Sequence, residues 1–427
     1  MKRFAADVLI VGFALFAMFF GAGNIIFPPY TGLLSGQEWY LGFICYYLAD
    51  IGLALLAIFA MLRSRSIDKV EGIMHRLGRM PAVIIMGAAV LCIGPLLAIP
   101  RTCATVFEIA FMPWLGAELK IPFTVCYFAL CLAFAIKETH LIILLGKYLI
   151  PVCVICLLAM IGYGVINPMG PMKGVVFNEG LAWSAISAGY QTMDVLAALI
   201  FGLIVINALK LRGYNTERQK FTSVAAASLI AGGLLFVIYG GLCYLGATAS
   251  TIYPVDIRLA ELIVNITHRL FGSIGFLMLA VVVTLACLTT AIGLVGAAGT
   301  FFATASSNKI SYKAMAIAIC AFSAVVANFG LDAIVSFAGP ILSIIYPCAL
   351  TVVILSLFNN HIKSDSVFRA AALGALLTSL CDVLYSLGAP LGFVQNLPLY
   401  DLGLFWIAPA FVLGMGAAIV YEARGGR

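Results

Sequence analysis

The sequence predicts an all-α protein that crosses a membrane about twelve times. Its 427 residues are 63% hydrophobic and only 10% charged, with a mean hydropathy of +1.12. Soluble domains carry about 25% charged residues. The apolar residues cluster into runs near the roughly 20 residues that a helix needs to cross a bilayer. No linker or low-complexity segment divides the chain, so we expect one membrane domain over residues 1–427.

Twelve apolar runs follow one another along the chain. They predict spans at 7–29, 39–62, 81–111, 121–137, 141–165, 184–209, 222–247, 271–304, 313–329, 333–358, 367–387 and 402–421. The longest connection on the side opposite the N-terminus covers about residues 248–270. It contains a helix-like stretch at residues 256–269, which we expect to lie on the membrane surface as a lid.

Lysine and arginine residues divide unevenly between the two sets of connections. Eighteen lie on the side of the N-terminus and only four on the other side, namely Lys120, Lys173, Arg258 and Arg269. The positive-inside rule therefore predicts that both termini are cytoplasmic. The net charge of +6 reflects this topology, and we expect no nucleic-acid partner.

The sequence lacks the motifs of several enzyme classes. It has no Walker G-x-x-x-x-G-K-[ST], no H-E-x-x-H and no G-x-S-x-G. We therefore expect no enzymatic activity and no cofactor. Cys153 and Cys156 form a C-x-x-C inside an apolar run, without a second pair or a nearby histidine, and are interpreted as small buried hydrophobes. A metal cluster is not expected.

The first span contains an interruption. An apolar run up to Phe20 is followed by Gly21-Ala22-Gly23-Asn24 and then by Pro28-Pro29. Each glycine costs a helix about 1 kcal/mol relative to alanine, Asn24 competes for backbone hydrogen bonds, and Pro28 removes a donor. In hydrocarbon an opened backbone persists only where it is buried in protein or lines a cavity. The segment is either a broken helix at a binding site or a kinked but intact helix.

The sixth span contains a second interruption, the polar segment at residues 187–194. The interrupted spans are five apart, so they cross the membrane in opposite directions. This is the arrangement of an inverted repeat of five plus five helices with the site at two broken helices. We expect repeats over about 7–165 and 184–358, with extra helices over about 367–421. Half-helix amino ends would offer N–H groups to a carboxylate, and unwound carbonyls could bind a cation.

Charged residues inside the spans mark further candidate positions, because a charge at the bilayer centre costs about 2.5–3.5 kcal/mol on insertion scales. Asp50 lies in the second span, Arg101 and Glu108 in the third, Lys147 in the fifth and Asp194 in the sixth. Arg101 and Glu108 are candidates for a structural pair or for interfacial anchoring as much as for transport. Lys147 either extends its side chain to the cytoplasm or provides a proton-binding group.

The eighth span contains Ala286-Cys287-Leu288-Thr289-Thr290. On a helix this spacing brings two hydroxyl groups close to the carbonyl of Ala286. Adjacent threonines in a span also commonly bond back to the preceding turn. The motif by itself therefore leaves both readings open.

Three segments together resemble a known family. The stretches 21–29, 189–194 and 285–294 are similar to the signatures of the branched-chain amino acid:cation symporter family. The resemblance extends over essentially the whole chain in length and span count. The family belongs to the amino acid–polyamine–organocation group, with a LeuT-like five-plus-five inverted repeat and two extra helices. It implies uptake of leucine, isoleucine and valine with a cation, usually sodium, across a bacterial inner membrane.

The resemblance also implies which residues meet the substrate. Gly21-Ala22-Gly23-Asn24 is similar to the G-L-G-N of the broken first helix, so the N–H groups of Ala22 and Gly23 would meet the substrate carboxylate. Gly189-Tyr190-Gln191 is similar to the G-F-E that breaks the sixth helix in the wider group, with Gln191 in place of the acid. Asp194 would hold the substrate ammonium or brace the break.

The coupling ion and the function class have alternatives. The resemblance implies a sodium site made of carbonyl and hydroxyl oxygens, those of Ala17, Phe20, Ala286, Thr289 and Thr290. A proton-coupled amino acid symporter and a membrane amino-acid sensor are the other interpretations. A sensor normally adds a soluble signalling domain, and no connection is long enough for one. The expected partners are the amino acid and membrane lipid, with no obligatory protein partner.

Overall fold

The computed structural model describes residues 2–63, 72–136, 140–214, 216–307 and 309–424. These residues form seventeen α-helices and no β-strand. The helices are α1 Lys2–Phe19, α2 Ala22–Ser35, α3 Trp39–Tyr47, α4 Leu53–Leu62, α5 Arg79–Leu91, α6 Ala98–Val106, α7 Met112–Leu115, α8 Lys120–Ile136, α9 His140–Ile166, α10 Glu179–Thr192, α11 Asp194–Leu211, α12 Glu217–Thr248, α13 Leu259–Ala305, α14 Tyr312–Ala327, α15 Leu331–Leu357, α16 Asp365–Ser386 and α17 Ile407–Ala423. The 3₁₀ and π segments are Gly36–Glu38, Leu48–Gly52, Gly72–Leu77, Cys92–Leu96, Phe107–Phe111, Ala117–Leu119 and Gly392–Asn396.

Within the described ranges, the helices form twelve apolar segments, in the order that the sequence predicts. Among the described residues, eight helical segments are long and apolar enough to cross a membrane: Ala22–Leu62, Arg79–Leu115, Ala117–Ile136, Glu179–Gly202, Glu217–Thr248, Leu259–Ala305, Leu331–Leu357 and Asp365–Ser386. Four shorter apolar helices complete the series: Ala6–Phe19, Pro151–Ile166, Tyr312–Ala327 and Ile407–Ala423. Ala22–Leu62 joins the second half of the first span to the second span.

Two of the predicted spans are bent. In the third span, Gly94 leaves helical geometry with a ψ of −126°, next to Pro95. In α13, Gly272 has a φ of 58°, which a residue without Cβ adopts without strain. The stretch predicted as a surface lid is the part of α13 that precedes this kink. Leu262 and Ile263 on it are fully buried, so it packs by one face against the bundle and continues into the eighth span.

Helices α2 and α12 touch backbone to backbone. A Cβ at Gly32 would lie 1.8 Å from the carbonyl oxygen of Cys243, and a Cβ at Gly246 would lie 1.8 Å from the carbonyl oxygen of Pro29. Only residues without a side chain permit this approach. The second half of the first span is therefore fixed against the seventh span.

An ion-pair cluster lies at the end of the bundle that carries the N-terminus. Arg212, just after α11, pairs through Nη1 with Oδ1 of Asp7 on α1. The hydroxyl of Tyr214 donates to Oδ2 of Asp7 at 3.1 Å. The cluster connects the beginning of the first span to the end of the sixth span.

A second cluster lies at the opposite end. Arg258 Nε is 2.6 Å from Asp332 Oδ2, and Arg258 Nη2 is 3.1 Å from Glu108 Oε2. Glu108 also accepts a hydrogen bond from the backbone N–H of Leu331 at 2.8 Å. The hydrogen bond and charge of Asp332, with the charge of Glu108, raise the pKa of Arg258. Arg101 and Glu108 do not pair with each other, because seven helical positions separate them by about 10 Å along the third span. Glu108 pairs with Arg258 instead.

Candidate functional site

The first span is broken at Phe20 and Gly21. Helix α1 ends at Phe19 and α2 begins at Ala22, with Gly21 in an extended conformation. Gly21 N–H donates to Asn24 Oδ1 at 3.1 Å, so the asparagine caps the new helix from its third position. The broken-helix interpretation is confirmed, but the break is narrower than predicted. Asn24 and the double proline lie inside α2, because the cap restores helical geometry at once.

The sixth span is broken at a single residue. Met193 adopts the left-handed conformation, with a φ of 67°, between α10 and α11. Thr192 precedes the break, and its hydroxyl lies 2.5 Å from the carbonyl oxygen of Gly189 and 2.7 Å from Asp50 Oδ1. The expectation that Gly189-Tyr190-Gln191 forms the break is wrong, since all three residues are helical. The hydroxyl of Thr192 bonds to a carbonyl in the last turn of α10, and the left-handed backbone conformation is adopted by the next residue, Met193.

Residues 189–191 have packing roles instead. A Cβ at Gly189 would lie 2.9 Å from the carbonyl oxygen of Tyr46, so the glycine allows α10 to contact the second span. The ring of Tyr190 stacks on Tyr346 with a centroid distance of 4.7 Å. Gln191 donates through Nε2 to the carbonyl oxygen of Val335 at 3.4 Å.

A buried polar network joins the two breaks. Asn24 Nδ2 lies 2.8 Å from Asp194 Oδ2, 3.3 Å from Asp50 Oδ2 and 2.5 Å from the hydroxyl of Tyr239. All four side chains are at most 5% exposed. One amide thus connects the first, second, sixth and seventh spans. Asp194 lies at the first position of α11, where the helix dipole stabilises a carboxylate.

Arg101 holds the carboxyl end of α10. Its Nη1 donates to the carbonyl oxygen of Gln191, and its Nη2 donates to that of Thr192 at 3.2 Å. These carbonyls are among the last of α10 and have no partner within the helix. A cation at this end also opposes the negative end of the helix dipole. The arginine therefore stabilises the sixth-span break.

The five oxygens of the predicted cation site lie close to the first break. Thr290 Oγ1 is 3.4 Å from the carbonyl oxygen of Phe20, and Thr289 Oγ1 bonds back to Ala286 O at 3.0 Å. The Ala17 carbonyl loses its usual donor, because Gly21 N–H turns to Asn24. Ala17, Phe20, Ala286 and Thr289 line one small cavity. Hard oxygen ligands of this kind suit Na⁺, and their binding of it stays a prediction.

A small cavity of about 20 Å³ lies between the two breaks. Four of the predicted substrate residues line it, Gly21, Ala22, Asn24 and Asp194. Gly23, Gly189, Tyr190 and Gln191 do not. The other lining residues are Met18, Phe19, Ile93, Ala98, Arg101, Thr102, Thr192, Met193, Ala197, Phe201, Thr290 and Leu294. The side chain of Lys147 lies outside the described part of the structure.

The sequence did not indicate Tyr239 or Thr192 as site residues. Tyr239 lies 215 positions from Asn24 and sits in an apolar run of the seventh span. A buried tyrosine is a common core residue, so only its hydroxyl contact with Asn24 identifies it. Thr192 lies within the polar segment of the sixth span, and this position was the one feature of the sequence that could have indicated it as a site residue.

The helix bundle is similar to solved transporter structures. Mhp1, a nucleobase-cation-symport-1 family transporter in a closed conformation, gives a TM-score of 0.64 at 12% identity over 97% of this chain and 93% of Mhp1. A Na⁺-coupled sialic acid symporter in an outward-open state gives 0.62 at 12% identity, with 96% and 90% coverage. At such identity the likeness concerns the fold alone. The protein has the predicted LeuT-type transporter fold.

Sequence relatives identify the family within this fold. Residues 4–424 match the family described as branched-chain amino acid transport protein. Branched-chain amino acid permease BrnQ of Bacillus subtilis (strain 168) is 34% identical over 428 residues, 97% of this chain and 96% of BrnQ. Permease BraB of the same organism is 35% identical, with 97% and 95% coverage. The chain belongs to the branched-chain amino acid transport protein family. It is a multi-span membrane protein of a transporter family and not an enzyme.

Proposed function

We propose that the protein is a secondary active importer of leucine, isoleucine and valine that operates by Na⁺ symport. The observation that carries this proposal is the cavity shared by the two helix breaks. The first turn of α2 borders it with Ala22, where a backbone N–H group at a helix amino end suits a carboxylate. Met18, Phe19 and Phe201 supply apolar surface for an aliphatic side chain. The permease names of the relatives support the same substrate class.

Sodium is the proposed coupling ion because the carbonyl and hydroxyl oxygens near Phe20 and Thr290 can bind it without gaining or losing a proton. The first-span break frees the Ala17 carbonyl, and the eighth span supplies two hydroxyls to the same place. Asp50 and Asp194 favour the second candidate, proton coupling. They are buried carboxylates joined by one amide, and such a pair can carry a proton through a transport cycle.

Radiolabelled leucine uptake into proteoliposomes, under an imposed Na⁺ or proton gradient, tests the proposal. We expect the Na⁺ gradient to drive concentrative uptake and Lys147→Ala to leave its Na⁺ dependence largely unchanged. Uptake that ignores Na⁺ and follows the proton gradient would contradict sodium coupling, and its loss in Lys147→Ala would assign the proton to Lys147 instead of the aspartates. Leucine, isoleucine and valine should compete with one another, because one methylene is worth only about 1–3 kcal/mol in an apolar pocket. Excess lysine or glutamate should not compete.

We propose the same location and partners as the sequence predicts. The excess of basic residues on one side supports cytoplasmic termini in a bacterial inner membrane. The two breaks support inverted repeats over about 7–165 and 184–358, followed by two extra helices. The working protein then needs only its amino acid, its coupling ion and membrane lipid.

A further inference from the structure

Arg101 is a buried cation at the centre of the bundle. Its side chain belongs to α6 and is 3% exposed. It donates to the carbonyls of Gln191 and Thr192 at the end of α10. On its other side, a Cβ at Gly23 would lie 3.0 Å from Arg101 Nη2. The guanidinium group therefore fills the space between the end of α10 and the first turn of α2.

The charge of Arg101 is not balanced by an ion pair. No carboxylate among the described residues lies within ion-pair distance of it, although Asp50 and Asp194 act on it from farther away. Its Nε atom is buried and has no hydrogen-bond partner in the described structure. A guanidinium offers five N–H donors, and two carbonyls engage only part of them. The Nε–H is therefore a donor left over for an anion that enters the cavity.

The residues around the cavity indicate which kind of anion Arg101 would bind. Arg101 lines the cavity together with Ala22, the first residue of α2, so a guanidinium group and the amino end of a helix border the same space. A planar carboxylate accepts two parallel hydrogen bonds from a guanidinium, a match that a spherical inorganic anion does not make. Apolar side chains of Phe19 and Phe201 line the same cavity, as a ligand with one charged and one aliphatic end requires.

We propose that Arg101 binds the α-carboxylate of the transported amino acid, opposite the first turn of α2. This inference rests on the proposed function and adds a charged side chain to a site otherwise predicted to use backbone N–H groups. The same guanidinium holds the carbonyls of Gln191 and Thr192. Binding of the carboxylate to Arg101 therefore acts on the sixth-span break through the same side chain.

The test compares ligands that differ only in the carboxyl group. Leucine and leucinamide, in which a neutral amide replaces the carboxylate, are titrated into purified full-length protein, and binding is followed by ligand-induced thermal stabilisation. Wild type should bind leucinamide at least about 30-fold more weakly than leucine, because truncating one partner of a buried hydrogen-bonded charge pair costs about this factor or more. In Arg101→Gln, leucine should weaken by a similar factor and leucinamide by less than about 3-fold.

Four comparisons separate a substrate contact from a structural role. If Arg101 only braced α10, Arg101→Gln would weaken both ligands equally, which would overturn the proposal. Equal binding of leucine and leucinamide to wild type would overturn it without any variant, so a variant that fails to fold does not prevent a decision. Arg101→Lys keeps the charge and should retain part of the preference for leucine. Arg218→Gln, an exposed change at the start of α12, should retain all of it.

Two further controls identify the ligand and show which of the two proposals a negative result would overturn. Replacing chloride with gluconate in the buffer should leave both affinities unchanged. A strong chloride dependence that disappears in Arg101→Gln would assign the site to an inorganic anion and overturn the carboxylate proposal. Absence of leucine binding to wild type would overturn the proposed function together with this inference, whereas loss of the leucine preference alone would overturn only the inference.

Discussion

Replacing Thr290 with alanine should raise the Na⁺ concentration needed for half-maximal leucine uptake. Thr290 Oγ1 lies 3.4 Å from the carbonyl oxygen of Phe20, across the gap between α13 and the first-span break. Thr289, in contrast, bonds back within its own helix, to Leu285 O at 2.9 Å. Of the two hydroxyls, that of Thr290 contacts the break and depends less on its own helix.

The size of the effect follows from coordination. Loss of one oxygen leaves the ion under-coordinated, at a cost of about 1–3 kcal/mol. This corresponds to about a 5- to 150-fold higher half-saturating Na⁺ concentration. Thr290→Ser keeps the hydroxyl and should shift it by less than about 3-fold. Thr289→Ala should also raise the half-saturating Na⁺ concentration. The Thr289 hydroxyl donates its proton within its own helix, but its oxygen keeps lone pairs that can bind the ion.

The assay is the initial rate of leucine uptake into proteoliposomes as a function of external Na⁺. Thr300→Ala is the matched control, because Thr300 lies on the same helix, is exposed and bonds back to Gly296 O at 2.9 Å. Its Na⁺ dependence should equal that of wild type. If Thr290→Ala lowered the maximal rate without moving the Na⁺ dependence, the hydroxyl would not be a ligand and the cation-site reasoning would fail.

Three other predictions concern packing, the polar network and topology. Gly246→Ala should destabilise the protein by about 1–3 kcal/mol, because the new Cβ would overlap the Pro29 carbonyl. Gly233→Ala is the control on the same helix. Its Cβ would meet nothing within 4 Å, so it should not lower the melting temperature. Asn24→Leu should lower the melting temperature more than Asn167→Leu, because it leaves two buried carboxylates without their shared donor, whereas the side chain of exposed Asn167 bonds to Tyr163 O one turn away. Equal losses would mean that the network contributes nothing. Reporter fusions should read extracytoplasmic after Gly36, Pro171 and Gln395 and cytoplasmic after Gly213 and Lys363, and a cytoplasmic reading after Pro171 would contradict the inverted repeat.

The spans and the segments that contain the two breaks could be predicted from the sequence. A membrane span is a sum over about 20 residues, so a single polar residue does not obscure it. The first break was visible because Gly21 and Asn24 act locally, one through backbone freedom and the other as a cap. Such effects depend on residues that are neighbours in the sequence, so they can be predicted from the sequence.

The extent of the breaks and the partners of the buried charges could not be predicted in this way. Gly189 looked like a helix breaker, but it serves a close approach to Tyr46 on another span. Arg101 reaches α10 across 90 positions of sequence, and Glu108 reaches Arg258 across 150. Such contacts depend on how the helices are placed in three dimensions, which a single sequence without structure does not encode in any local pattern.

The two ion-pair clusters join helices at opposite ends of the bundle, and they differ in their exposure to water. In the Arg258 cluster, half of the arginine side chain and 46% of that of Asp332 are open to solvent. In the Asp7 cluster, the carboxylate side chain is only 13% exposed. Because dissolved salt screens exposed pairs more than shielded ones, rising ionic strength should weaken the Arg258 cluster first. The end of the bundle opposite the N-terminus should therefore loosen in high salt while the other end stays joined.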